Sequence, residues 1–136
     1  MKRKLIGALV GAAVMSLAAG QAVAQKAGVK VSGDMVKIGV LTDMSGVYSD
    51  LGGQGSVPAA QMAIDDFKAQ AKPSWKIELV YADHQNKADV GSNKAREWFE
   101  REGVDTATEL VTTSTALAVM KIAKEMNRVA LMSGPA

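Results

Sequence analysis

VKIGVLTDMSGVYSDLGGQG, residues 36–55, is the stretch on which the reading of the fold turns. Val36, Ile38, Val40 and Leu41 form a nearly continuous apolar run, broken by Lys37 near its start and by Gly39, against which a helix can lie close. Such a run suits a central strand of a parallel sheet covered on both faces. Thr42, Asp43, Ser45, Gly46, Ser49, Asp50, Gly52, Gly53 and Gly55 then supply turn chemistry. In open α/β sheets the loops at the carboxyl ends of the strands form the ligand crevice, so the loop after Leu41 is the first candidate for function.

Downstream, Val57, Ala60, Ala63, Ile64 and Phe67 recur at helical spacing, with Gln61, Asp65, Asp66 and Lys68 opposite them, which predicts an amphipathic helix from about Gln54 to Ala69. Pro58 fits within its first turn, where a missing N–H costs nothing. Trp75 to Tyr81 alternates Ile77, Leu79 and Tyr81 against Lys76 and Glu78, as a strand near a sheet edge does. A second helix over Lys87–Glu102 turns Gly91, Ala95, Trp98 and Phe99 inward, and Gly103 ends it in a left-handed conformation. Val104 to Val111 is the third strand by position rather than composition, because Thr106, Thr108 and Glu109 interrupt it. Thr112 to Thr115 offers N-cap hydroxyls to a third helix, Thr115–Met126, with Ala116, Val119, Met120 and Ala123 as its stripe. Asn127 closes that helix, and Val129 to Met132 forms a fourth strand.

Connections of this length make every strand parallel, and right-handed crossovers give the strand order 2-1-3-4. The expected fold is α/β, a three-layer Rossmann-like parallel sheet. It sets the Asp43–Gly53 loop beside Thr112–Ser114, with Ser133 and Gly134 next to them.

Upstream, Lys2, Arg3 and Lys4 precede the uncharged apolar run Leu5–Ala19, and Ala22-Val23-Ala24 has the small-x-small pattern of a signal peptidase site. Residues 1–24 are therefore expected to be a cleaved signal peptide rather than a membrane anchor, and 25–35 a disordered lead-in. All 14 acidic residues and 13 of the 16 basic ones lie beyond the leader, leaving a net charge of −1. That balance gives no ground for a nucleic-acid partner. Cysteine is absent, so the chain has neither disulfides nor a lipidated cysteine. The expected location is the periplasm, with no membrane insertion once the leader is removed.

Two helices begin at the predicted crevice, and their free N–H groups and dipoles favour an anion there. Thr112, Thr113 and Ser114 add hydroxyl donors, which can serve a ligand carboxylate or simply cap the helix. A dinucleotide site at Gly53-x-Gly55 is disfavoured, because Asp43 to Gly52 separates it from the strand and Pro58 holds the third glycine position. A phospho-receiver reading fails for want of an acceptor aspartate after the third strand. His84 is the single histidine and reads as a loop residue with ordinary hydrogen bonds, Asp83 as a turn residue, and Trp98 and Phe99 as core. No nucleophile, base and orienting group occur together, so neither an enzyme nor a cofactor or metal is expected.

TDMSGVYSDLGGQGSVPAAQMAIDDF, VYADHQNKADVGSNKAREWFEREGVD and TTSTALAVMKIAKEMNRVALMSGPA, together with the leader, resemble the periplasmic substrate-binding proteins of branched-chain amino-acid-type ABC importers. The resemblance implies a two-lobed, hinged protein of the type I periplasmic binding fold, of which residues 36–136 match the first part of the N-terminal lobe. It implies a small carboxylate-bearing solute and a membrane permease as partners. It also implies that Thr112 and Thr113, with Ser114 beside them, hold the carboxylate, that Ser133, Gly134 and Pro135 lie on the next ligand loop, and that Tyr48 lines the mouth of the cleft. VDTATEL, residues 104–110, departs from the more apolar strand of relatives. A truncated, non-functional fragment with Val129–Met132 as an unprotected edge is the competing expectation.

Overall fold

The computed structural model of the chain describes Val31 and residues 33–134. The expected leader, all but the last part of the lead-in, and Pro135 lie outside the described residues. The elements are β1 (Met35–Thr42), α1 (Ser56–Ala71), β2 (Lys76–Asp83), α2 (Ala88–Glu97) running into a π-helical turn (Trp98–Glu102), β3 (Thr106–Glu109), α3 (Thr113–Glu125) and β4 (Val129–Met132). Met35, placed in the lead-in by sequence, belongs to β1 and pairs with Lys76.

The four strands form one parallel sheet in the order β2-β1-β3-β4. Alternate residues of β1 face opposite layers. On one side Gly39 opens a shelf for the Trp98 ring, and Leu41 joins Ala95, Trp98, Phe99, Ala107, Val119 and Ile122 in the main core under α2 and α3. The π turn brings the neighbouring bulky residues Trp98 and Phe99 both inward, 1% and 3% exposed. The expected single α-helix to Glu102 therefore widens at its last turn. Gly103 then ends it at φ 68°, its N–H on the Trp98 carbonyl.

The opposite face is covered less well. Of the expected α1 stripe only Ile64 is buried; Val57 and Ala60 are half-buried, whereas Ala63 and Phe67 are exposed. The alanines are too short to reach the sheet, and an apolar cavity of about 320 Å³ lies between α1 and Val36, Ile38 and Ile77. Phe67 instead meets Trp75, ring centroids 5.9 Å apart. Tyr81 is 60% exposed rather than inward, because it sits at the far end of an edge strand, beyond the part that α1 covers. On α3 the stripe shifts as well: Met120 is exposed, while Thr115 and Ile122 join Ala116, Val119 and Ala123 inside. At the opposite edge β4 leaves Val129, Leu131 and Met132 exposed.

Asp105 ties the starts of three strands together. Its carboxylate accepts the Lys37 N–H at 2.9 Å and the Arg128 guanidinium at 3.0 Å, while its own N–H donates to the Lys37 carbonyl. β3 itself is only four residues long, and it leaves the sheet through two left-handed non-glycine residues, Glu109 (φ 86°) and Leu110 (φ 47°). Leu110 is nonetheless fully buried in the core, so packing holds this backbone in place. Left-handed backbone of this kind costs about 1–3 kcal/mol per residue. Glu109→Gly is therefore expected to raise stability by about 1 kcal/mol net of the lost side-chain contact, read as a higher urea midpoint at constant m. An unchanged or lower midpoint would show that the strand end is not strained.

Candidate functional site

The carboxyl edge of the sheet is built from the loop after β1 and the segments after β3 and β4. Asp43, fully buried, ends β1 and accepts the N–H groups of Gly46 (2.7 Å) and Tyr48 (3.0 Å). Asp83, at the end of β2, takes the N–H groups of Met44 (2.9 Å) and Gln85 (2.7 Å) and the Ser45 hydroxyl. Two carboxylates from adjacent strands thus fix the first half of the loop. In its second half Gly53 sits at φ 31°, where a Cβ would fall 1.9 Å from the Ser49 carbonyl oxygen, so only glycine fits. The loop presents Val47, Tyr48 and Leu51 to solvent.

Gly52 brings this loop against the segment after β3, since a Cβ there would lie 2.7 Å from Val111 and 2.8 Å from the Thr42 hydroxyl. On the other side Ser133 is bound to the end of β3. Its N–H donates to the Glu109 carbonyl at 3.1 Å, and its hydroxyl lies 2.9 Å from that carbonyl and 3.0 Å from the Glu109 carboxylate. The sheet thus brings the Tyr48 loop, the segment leading to Thr112 and the Ser133 segment to one rim, with Gly134 exposed beside Ser133. The Ser133 hydroxyl donates to Glu109, which places a carboxylate beside this rim.

Thr112 occupies the N-cap position of α3, is 5% exposed, and makes no capping bond through its side chain. Its hydroxyl has no partner among the described residues. Thr113 and Ser114 are exposed on the first turn of α3, which carries no acidic residue. The positive end of a helix dipole beside a buried hydroxyl is chemically suited to an anion.

Behind the rim, His84 departs from the expectation of an ordinary loop residue. It is fully buried; Nδ1 accepts the Asn86 N–H at 3.1 Å, which puts the imidazole proton on Nε2, and Nε2 has no partner among the described residues. Burial pushes its pKa down, partly offset by the charges of Asp43 and Asp83. For Asp83 burial acts upward, but the Ser45 hydroxyl, the Met44 and Gln85 amides and the nearby imidazole together hold its carboxyl below the usual range. Two participants escaped the sequence reading. Asp43 looked like one turn residue among many, and Thr42, whose buried hydroxyl is also unpartnered, looked like a strand end.

A parallel α/β sheet gathers its loops at the carboxyl edge, where folds of this kind bind their ligands. The family model described as periplasmic binding protein matches residues 35–136, and the chain belongs to that family. A periplasmic binding protein of Burkholderia mallei is 47% identical and superposes with a TM-score of 0.68 over 76% of this chain and 27% of its own. A branched chain amino acid ABC transporter periplasmic ligand-binding protein of Burkholderia xenovorans is 45% identical, with a TM-score of 0.67 over 74% of this chain and 27% of its own. An ABC transporter solute binding protein of Rhodopseudomonas palustris, in complex with 3,4-dihydroxy benzoic acid, shares the fold at 21% identity, with a TM-score of 0.58 over 76% of this chain and 28% of its own. The chain thus spans little more than a quarter of the length of these relatives. No curated protein matches it significantly. Among the described residues no helix is long and apolar enough to cross a membrane.

Proposed function

We propose that the chain supplies one lip of a crevice that captures a small carboxylate-bearing solute, an amino acid or a small organic acid, as the solute-binding component of an ABC importer. On this reading residues 1–24 direct export to the periplasm, 36–136 form part of the N-terminal lobe, and a full two-lobed receptor passes the solute to a membrane permease. The role needs neither catalysis nor a cofactor.

The observation that carries the reading is Thr112. The Thr112 residue is 5% exposed and its hydroxyl oxygen is fully buried without a partner among the described residues, which costs about 1–3 kcal/mol unless something satisfies it, and it sits where α3 begins. A carboxylate at this helix end lies on the positive end of the dipole, and a turn of the Thr112 side chain about χ1 brings its hydroxyl round to donate to it. The relatives support the choice of group, since branched-chain amino acids and dihydroxybenzoic acid share a carboxylate and little else. Ser114 adds a donor on the same turn as Thr113, Tyr48 forms the facing wall, and Ser133 and Gly134 line the neighbouring rim; Pro135, expected on the same loop, lies outside the described residues.

A single lip buries only part of a ligand, so affinity is expected to be weak, in the millimolar range typical of partial enclosure. Titration of the ¹⁵N-labelled chain with leucine and with benzoate is expected to shift the amides of Thr113, Ser114 and Thr115. Thr112→Val, which keeps the shape and removes the hydroxyl, is expected to weaken that binding about tenfold, the effect of about 1.4 kcal/mol from one lost hydrogen bond. Shifts confined to other surfaces, or a Thr112→Val chain that binds as well as the parent, would remove the basis of the reading.

A further inference from the structure

The β2–α2 turn is held by side chains and is conformationally tense. Gln85 and Asn86 both sit at φ 54°, a left-handed region that glycine enters far more readily. Two acceptors keep them there: the Asp83 carboxylate takes the Gln85 N–H, and the His84 Nδ1 takes the Asn86 N–H. The His84 backbone N–H also donates to the Thr42 carbonyl at 2.9 Å, extending the β1–β2 ladder. Gly91 of α2 packs close to the His84 Cβ and the Thr115 methyl, where a side chain at position 91 would not fit, and the His84 side chain is fully buried. The same turn anchors the candidate site, because the Asp83 carboxylate also holds Met44 and Ser45, the first residues of the Tyr48 loop.

We propose that His84 is a positioning residue for the Tyr48 loop, holding it only while its imidazole is neutral, so that acidification loosens one lip of the crevice. The reason is the geometry at Nδ1. A proton added there turns the acceptor of the Asn86 N–H into a second donor facing it, and it places a cation in a fully buried position. The left-handed turn loses one of its two side-chain tethers, and the Asp83 bonds to the loop lose their fixed base. The charged groups facing the ring are Asp43 at the end of β1 and Asp83 beside it, and both favour the imidazolium. α2 approaches the His84 Cβ at Gly91, which carries no charge. Burial outweighs the two carboxylates, so the folded chain holds its histidine proton less tightly than an unfolded one. Loop order is then fully present above the ordinary histidine value of about 6.5 and is lost as pH falls through the lower, folded-state value.

What this means for solute capture rests on the crevice proposed above, but the order of the loop does not, and the test reads the loop directly. As the only histidine in the chain, His84 gives a single imidazole titration curve by NMR. Between about pH 8 and about pH 5 the amides of Met44, Gly46 and Tyr48 are expected to shift with the midpoint of that curve. His84→Asn puts a non-titrating acceptor near the Nδ1 position, and in it these shifts are expected to vanish over the same range. Loop amides that stay still while the ring titrates would overturn the proposal, and so would an unaltered transition in His84→Asn. If His84→Asn does not fold, the parent chain decides alone: a shared midpoint upholds the proposal and separate midpoints refute it. Absence of any solute binding with the shared transition intact would sink the crevice and leave this inference standing.

Discussion

A Trp98→Ala chain is expected to lose about 3–5 kcal/mol of unfolding free energy, a large share of what a domain of this size possesses. The indole is 1% exposed and is the largest fully buried side chain. It stands on the Gly39 shelf, at the junction of β1 and the helical layer, with the Lys94 ammonium 5.7 Å from its ring centroid. Collapse cannot refill the space, because the shelf is backbone in the centre of the sheet and the π turn fixes the position of Phe99. Urea denaturation followed by far-UV circular dichroism measures the loss. A drop of less than about 1.5 kcal/mol would mean that the ring is not the keystone of the core.

The second large effect comes from the other partner of the same contact. Gly39→Ala places a methyl 2.4, 2.7 and 3.1 Å from three atoms of the Trp98 ring. The ring cannot yield, being enclosed by the core, and the strand cannot, being paired on both sides. The expected cost is about 3 kcal/mol, the upper part of the range for overpacking. Strain, unlike cavity formation, is relieved by shrinking the neighbour. Gly39→Ala with Trp98→Leu is therefore expected to be more stable than the sum of the two single changes by at least about 1 kcal/mol. Additive effects would show that the shelf tolerates a side chain and that the glycine is there for another reason.

The strand order and the position of the shelf were legible in the residues because each rests on a local pattern with few alternatives. An apolar run containing a glycine, four strands joined by long connections and a glycine after Glu102 leave little freedom. The end of β3 was not legible. Nothing in Thr-Glu-Leu-Val announces two left-handed residues, since Glu109 and Leu110 are held there by burial of the Leu110 side chain and by Ser133, contacts made only after folding. The same holds for His84: a polar residue just past a strand reads as an ordinary loop residue, and its burial is made by packing against other elements, α2 at Gly91 among them. The looseness of α1 was hidden because periodicity counts alanine as apolar without asking whether it reaches the sheet. The candidate site was found through topology, which places loops, while the Thr112 hydroxyl became a distinct feature only when its environment could be inspected.

Asp105 has a consequence at the end of the sheet remote from the crevice. One carboxylate binds a backbone amide of β1 and the guanidinium that precedes β4, so a β3 shifted by a single residue would strand both donors and turn Ala107 out of the core. Misalignment is thus penalised at the bottom of the molecule, at the end of the sheet opposite the loops. The spacing between Gly52, Thr112 and Ser133 is inherited from that register, which makes an exposed-looking aspartate at the far end of the sheet a determinant of how the loop rim is spaced.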